Sequence, residues 1–225
     1  MRIVALIPYW NNYKYESISI VDRDALSLSG KVLLNYSIEL ANKTNFINRV
    51  CLFTSDMHIS KLLDERLSYE VIKRSNELDA QNVSIEKIIA DFLKQVDADV
   101  IVLLHPKSPF LRKESLSQCI EAVVSKGFDS AFVAREERKF AWFDGKRVNY
   151  DYSAGTPHLS AIRPIILETS SAYVFTKLFF INSGTRISKN PFIKIVGNFE
   201  GLTISGAEDL ALAQFLQDSQ YSLEG

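Results

Sequence analysis

The sequence predicts an α/β protein in which helices cover both faces of a mostly parallel β-sheet. Three observations carry this expectation. The runs Ile3–Ile7, Val50–Phe53 and Val100–Leu104 are almost continuously apolar; they lack the alternation of a half-exposed strand and so read as strands buried on both sides. Between and after them, apolar residues recur at helical spacing: Leu34, Ile38 and Ala41; Ile85, Ile88, Ile89 and Phe92; Leu116, Cys119, Ile120, Val123 and Val124. Strand and helix alternate along the chain, the pattern of crossover units that build a parallel sheet. A chain of 225 residues is long enough for one sizeable core, so the expected organisation is a single three-layer, Rossmann-like domain over residues 1–225.

Taken in order, the first strand is expected to stop at Pro8, and Tyr9–Ser29 reads as a long polar loop. Loops of that length inside a compact domain are commonly functional. Gly30-Lys31 precedes the first helix, and Thr54-Ser55-Asp56 offers a cap for a helix after the second strand. Tyr69–Lys73 reads as a short strand, and Ser84 as the cap of the helix that starts at Ile85. Val100–Leu104 then runs into His105-Pro106-Lys107-Ser108-Pro109, a stiff polar turn at the end of a buried strand. Ser130–Ala134 is a further strand. From Arg135 to Ser160 the composition turns charged and aromatic, with Trp142, Phe143, Tyr150 and Tyr152, and Asp144-Gly145 marks a hairpin turn. Ala172–Thr176, Ile193–Val196 and Leu202–Ile204 read as short strands. Glu208–Gln217 closes the chain as a helix with Leu212, Phe215 and Leu216 inward.

Bulk composition excludes several function classes. The net charge of −1 provides no global field for nucleic acid or an anionic membrane. No apolar run reaches membrane-spanning length and the N-terminus has no cleavage pattern, so a cytoplasmic protein is expected. Cys51 and Cys119 sit in apolar surroundings without metal-ligand spacing and read as buried reduced thiols. In parallel sheets ligands bind beyond the carboxyl ends of the strands, which directs attention to the loops after Pro8, Phe53 and Leu104.

The residues in those loops form an ordered set. Ile7-Pro8, Gly30-Lys31-Val32-Leu33-Leu34, Thr54-Ser55-Asp56, Arg74-Ser75-Asn76-Glu77-Leu78, Leu104-His105-Pro106-Lys107-Ser108-Pro109, Glu168-Thr169-Ser170-Ser171-Ala172-Tyr173-Val174-Phe175, Arg186-Ile187-Ser188 and Glu208-Asp209-Leu210 together resemble the acylneuraminate cytidylyltransferase family over nearly the whole chain. The resemblance implies a fold of the nucleotide-diphospho-sugar transferase type. It implies CTP and an acidic, sialic acid-like sugar as substrates, with pyrophosphate released and a CMP-sugar formed. It also implies Mg²⁺ as cofactor, and a homodimer in which residues 135–160 form an arm reaching the partner copy. By position, the resemblance implies Lys14 and Arg23 as the catalytic phosphate contacts, Pro8, Asn11, Asn12, Asp24, Arg74, Ser84 and His105 as residues facing the nucleotide, and Lys107, Ser108, Glu168 and Tyr173 as residues facing the sugar.

Two departures accompany the resemblance. Where the family has an Arg-Gly-Gly-Ser-Lys phosphate loop, this chain has Trp10, Asn11, Asn12, Tyr13 and Lys14, which removes a multi-donor guanidinium clamp. Where the family has an Asp-Ile-Asp metal segment, Thr203 and Ser205 replace the carboxylates, so the metal ligands are unknown. Two readings therefore stand: a divergent nucleotidyltransferase, or a catalytically inactive homologue that binds a nucleotide or sugar, or serves as an interaction subunit.

Overall fold

The computed structural model describes residues 1–10, 27–80, 82–151, 153 and 155–219. The first strand, β1 (Ile3–Tyr9), is buried along its whole length. After it come the two-residue strands β2 (Ser27–Leu28) and β3 (Lys31–Val32), then α1 (Leu33–Lys43), β4 (Arg49–Thr54) and β5 (Glu70–Lys73). The middle of the chain forms α2 (Ile85–Gln95), β6 (Val100–Leu104), α3 (Lys113–Ser125) and β7 (Ser130–Glu137). A small hairpin, β8 (Trp142–Phe143) and β9 (Lys146–Arg147), precedes β10 (Ile165–Thr176), α4 (Lys177–Ser183), β11 (Phe192–Val196) and α5 (Ala207–Asp218).

Seven strands join in one sheet in the order β11-β7-β10-β6-β1-β4-β5. All neighbouring pairs are parallel except those of β10, which runs antiparallel to both β6 and β7. The period-2 geometry of β1 divides the core. Ile3, Ala5 and Ile7 pack with Leu34 and Ile38 of α1 and with Leu116 and Ile120 of α3. Val4 and Leu6 pack on the other side with Ile88, Ile89 and Phe92 of α2 and Phe180 of α4. Three layers result, as the double-sided burial of the strands requires. Cys51 and Cys119 are buried and free, and burial raises their thiols to about 11 and about 12.

Several expectations are corrected. Pro8 does not stop the first strand: Pro8 pairs with Phe53 and Tyr9 with Thr54, while the ladder to β6 ends at Leu6. With one side of β1 unpaired there, the missing proline N–H costs no ladder bond. No α-helix follows Thr54-Ser55-Asp56; only a single 3₁₀ turn forms at Ile59–Leu62. The strand at Ala172–Thr176 is the end of a longer one that begins at Ile165. Leu202–Ile204 is not a strand, because its amides serve other partners: Leu202 N–H donates to Phe199 and Ile204 N–H to Lys107. On α5 the inward residues are Ala213 and Leu216, whereas Leu212 and Phe215 are 46% and 63% exposed; the helix rests on a narrow stripe beside Leu28, Leu33 and Ile204. The Asp144-Gly145 turn does form, with φ of 49° and 69°, the positive pair a two-residue hairpin demands.

Candidate functional site

Strand direction decides which side chains meet. β6 and β7 run the same way with β10 reversed between them, so the residue after β6, the end of β7 and the early half of β10 share one edge of the sheet. That edge carries a cleft of about 600 Å³ whose walls include His105, Lys107, Arg135, Glu168, Tyr173, Arg186 and Asp209. A bulge aims two of them. The register of β10 against β7 shifts between Glu168 and Tyr173, and Ser170 takes a φ of 57°. Bulges re-aim side chains at sheet edges in this manner. Here the Tyr173 hydroxyl donates to Glu168 Oε2 at 2.8 Å, and burial, the main cause, raises the Tyr173 phenol.

Three cationic side chains, Lys107, Arg135 and Arg186, line the cleft beside the carboxylates of Glu168 and Asp209. Arg186 lies over the Tyr173 ring at 4.5 Å and is paired with Glu86 at the start of α2. Burial lowers the Lys107 ammonium. The His105 ring stands edge-on to Tyr173 at 6.3 Å. Burial first, then Arg186 and Lys107, push its pKa down to about 4, so at neutral pH the ring is uncharged and offers one donor and one acceptor.

The proposed sugar-facing residues Lys107, Glu168 and Tyr173 thus meet His105 in one place. Ser108 does not face it as an open hydroxyl: it is buried, and its Oγ lies 3.1 Å from Thr203 Oγ1. The nucleotide candidates divide differently. Lys14, Arg23, Asn11, Asn12 and Asp24 lie outside the described residues. Pro8 is inside β1. Arg74 is fully buried. It donates to the carbonyls of Tyr9 at 2.9 Å and Phe53 at 3.3 Å, is paired with Asp79, and carries the Trp10 ring at 4.6 Å. Trp10 in turn donates from Nε1 to the Leu78 carbonyl at 3.3 Å. Arg74 is therefore a clamp between the ends of β1 and β4 and the following loop. Ser84 caps α2 by accepting from the Lys87 amide at 3.3 Å. Ser84→Ala is expected to cost about 1 kcal/mol of stability and to leave nucleotide affinity unchanged, as urea unfolding and CTP titration would show.

Three cleft residues were missed as site residues. Arg135 marks the change of composition after β7, Arg186 and Asp209 lie in two of the resembling motifs, and Asp209, in the first turn of α5, accepts from the Ser205 amide at 2.8 Å. The segment carrying Thr203 and Ser205 does not fit a resident Mg²⁺. Thr203 Oγ1 is spent donating to the Thr169 carbonyl, and Asp209 is the one carboxylate that this segment turns to the cleft. Among the described residues no group of three or more His, Cys, Asp or Glu is placed to hold a metal ion, whereas Mg²⁺ in phosphate sites relies on carboxylates plus substrate oxygens.

Comparisons with known proteins fit this geometry. A family model described as Cytidylyltransferase matches residues 19–151. Over 118 residues the chain is 30% identical to N-acylneuraminate cytidylyltransferase A of Danio rerio, a match taking in 51% of this chain and only 27% of that protein. Among solved structures, a CMP:2-keto-3-deoxy-manno-octonic acid synthetase complexed with CTP superposes with a TM-score of 0.67 at 15% identity, covering 97% of this chain and 99% of the other. A 4-diphosphocytidyl-2C-methyl-D-erythritol synthase from Anaerococcus prevotii gives a TM-score of 0.60 at 14% identity, covering 96% of each. At these identities the structural likeness is one of fold.

Proposed function

The chain belongs to the cytidylyltransferase family, and on that premise we propose that it transfers a cytidylyl group from CTP to an acidic, sialic acid-like sugar. The observation that carries this reading is the cleft at the carboxyl edge of the sheet, where Lys107, Arg135 and Arg186 stand around Glu168, Tyr173 and Ser170. Cations with hydroxyls and the Glu168 carboxylate suit a small polyhydroxylated acid: the cations take the acid group, Glu168 with Tyr173 takes hydroxyls, and the second carboxylate, Asp209, is engaged with the Ser205 amide. In the reaction a sugar hydroxyl attacks the α-phosphorus of CTP. The bond to the β-phosphate breaks, pyrophosphate leaves, and the hydroxyl proton passes to a base or water. Neutral His105 serves as a hydrogen-bonding group to the pyrimidine edge or the ribose. Lys14 and Arg23 are the proposed phosphate contacts.

A second reading, an inactive homologue that binds a nucleotide or sugar, is favoured by one specific pair of observations. Arg74 is committed to the protein's own carbonyls and Asp79, and Thr203 and Ser205 stand where the family's carboxylates would be. Incubation with CTP, Mg²⁺ and a panel of eight- and nine-carbon sugar acids separates the readings. Pyrophosphate release above buffer is expected with at least one acid; none with any acid, beside retained CTP binding, would favour the inactive homologue.

A homodimer is also proposed. On the β8–β9 hairpin Trp142 and Phe143 are 57% and 79% exposed, large apolar surface suited to an interface anchor. Light scattering on the full chain should give twice the monomer mass of 25.5 kDa, falling to the monomer value in Trp142→Ser/Phe143→Ser. No helix among the described residues is long and apolar enough to cross a membrane.

A further inference from the structure

Resting on the reading of this cleft as the acceptor site, we propose that Arg135, seated on Gly201, supplies the positive charge that holds the acid group of the bound sugar, and that binding there requires no divalent cation.

Gly201 gives the first reason. Its backbone lies outside the left-handed region, so no turn geometry demands glycine there, and it is buried. What demands glycine is Arg135. A Cβ at position 201 would stand 2.5 Å from Arg135 Cγ and 2.7 Å from Cδ, with Thr169 Cγ2 at 3.1 Å. These are atoms in the middle of the arginine stem, so a methyl group would displace the chain that carries the guanidinium rather than nudge its tip. The residue that follows β11 by a short loop is thus shaped to let the arginine lie flat along the cleft wall.

The state of the guanidinium gives the second. Among the described residues Arg135 makes no side-chain hydrogen bond or ion pair, although it is half-buried and lines the cleft. The other arginine of the cleft is balanced by Glu86, and burial disfavours the charged form of Lys107. Glu137, two residues further along β7, feels the Arg135 charge without forming an ion pair with it, and a planar guanidinium that makes no side-chain hydrogen bond, at the wall of a cleft with hydroxyls, is suited to bidentate capture of a carboxylate.

The third reason is the segment that follows Gly201. Thr203 Oγ1 is held between the Thr169 carbonyl and Ser108 Oγ, a hydroxyl lock between the central turn and β10 at the position where the resembling family carries a carboxylate. A cation introduced there would lie on the same short segment that packs against Arg135 through Gly201, with Asp209 already serving the Ser205 amide.

The test is calorimetric titration of the full chain with 2-keto-3-deoxy-manno-octonic acid, in Mg²⁺ and again in EDTA. The expected Kd is the same within about twofold in both buffers. Arg135→Gln should weaken binding at least tenfold in both, with Arg135→Lys restoring part of it. Gly201→Ala should weaken binding severalfold in the native background and have no further effect beside Arg135→Gln, a non-additivity that a merely structural role would not produce. Binding that weakens more than fivefold in EDTA, or that ignores Arg135→Gln, overturns the proposal. If the sugar acid does not bind at all, the acceptor reading fails, and Arg135 is then tested with inorganic phosphate. Phosphate binding that disappears in Arg135→Gln upholds the arginine as the anion contact; phosphate binding that survives, or is absent from the native chain, overturns it.

Discussion

Arg74→Ala is expected to cost about 3–5 kcal/mol of folding stability, the range for removing one partner of a buried ion pair. The side chain is fully buried and serves three groups at once: the Tyr9 and Phe53 carbonyls and the Asp79 carboxylate. Asp79 also accepts from Ser55 Oγ at 2.5 Å, so the pair belongs to a network joining the ends of β1 and β4. Truncation strands two carbonyls where the strand ladders end, leaves Asp79 without its cation, and removes the platform under Trp10. Urea unfolding at pH 7 would show the loss as a lower midpoint with an unchanged slope. Arg74→Lys, which keeps the charge but not the fork of donors, is expected to lie between the two. A nucleotide ligand would behave in the opposite way: a stability change below about 1 kcal/mol with a large loss of CTP affinity would contradict the clamp.

The second large effect is one of pH. His105 is pushed from 6.5 down to about 4, by burial first and then by Arg186 and Lys107. Between those values the unfolded chain binds a proton that the folded chain refuses. Stability therefore falls as pH drops through that window, and the contribution is intact above 6.5. The full gap corresponds to roughly 3 kcal/mol, and the loss reached at pH 5 to about 2 kcal/mol. Carboxylates such as Asp97 and Glu70, whose pKa values are lowered chiefly by hydrogen bonds to Lys177 and Arg49, add a loss of their own at more acid pH. The variant His105→Gln separates the two, since it keeps a donor and an acceptor but cannot charge. Its stability should fall by about 2 kcal/mol less than that of the native chain between pH 7 and pH 5; equal losses in the two proteins would mean that His105 is not held neutral.

Much of this was legible in the residues, and the divisions have physical causes. The strands at Ile3, Val50 and Val100 stood out because burial on both faces leaves no polar alternation, and Asp144-Gly145 because a two-residue hairpin needs φ > 0. The end helix misled because Phe215 and Leu212 look like core residues, yet α5 buries only a narrow stripe through Ala213 and Leu216. The grouping of His105, Lys107, Glu168 and Tyr173 followed from motif order. Arg135 did not: it joins them only because β10 inserts between β6 and β7, a pairing that local sequence does not encode. Gly201 carried no turn signal, since its requirement is a contact with Arg135, distant along the chain, and not a backbone angle. Arg74 kept the identity that the resemblance assigns to nucleotide binding, but burial and partners, invisible in one dimension, commit it to the protein.

The most direct measurement is to follow CTP and 2-keto-3-deoxy-manno-octonic acid with the full chain by phosphorus NMR, and to repeat it with Arg135→Gln. A cytidylyltransferase working through this cleft should yield a CMP-linked sugar and pyrophosphate in equal amounts, with the rate at least tenfold lower in the variant. A folded native chain that binds the acid but never forms the phosphodiester, with this or any other eight- or nine-carbon sugar acid, would contradict it.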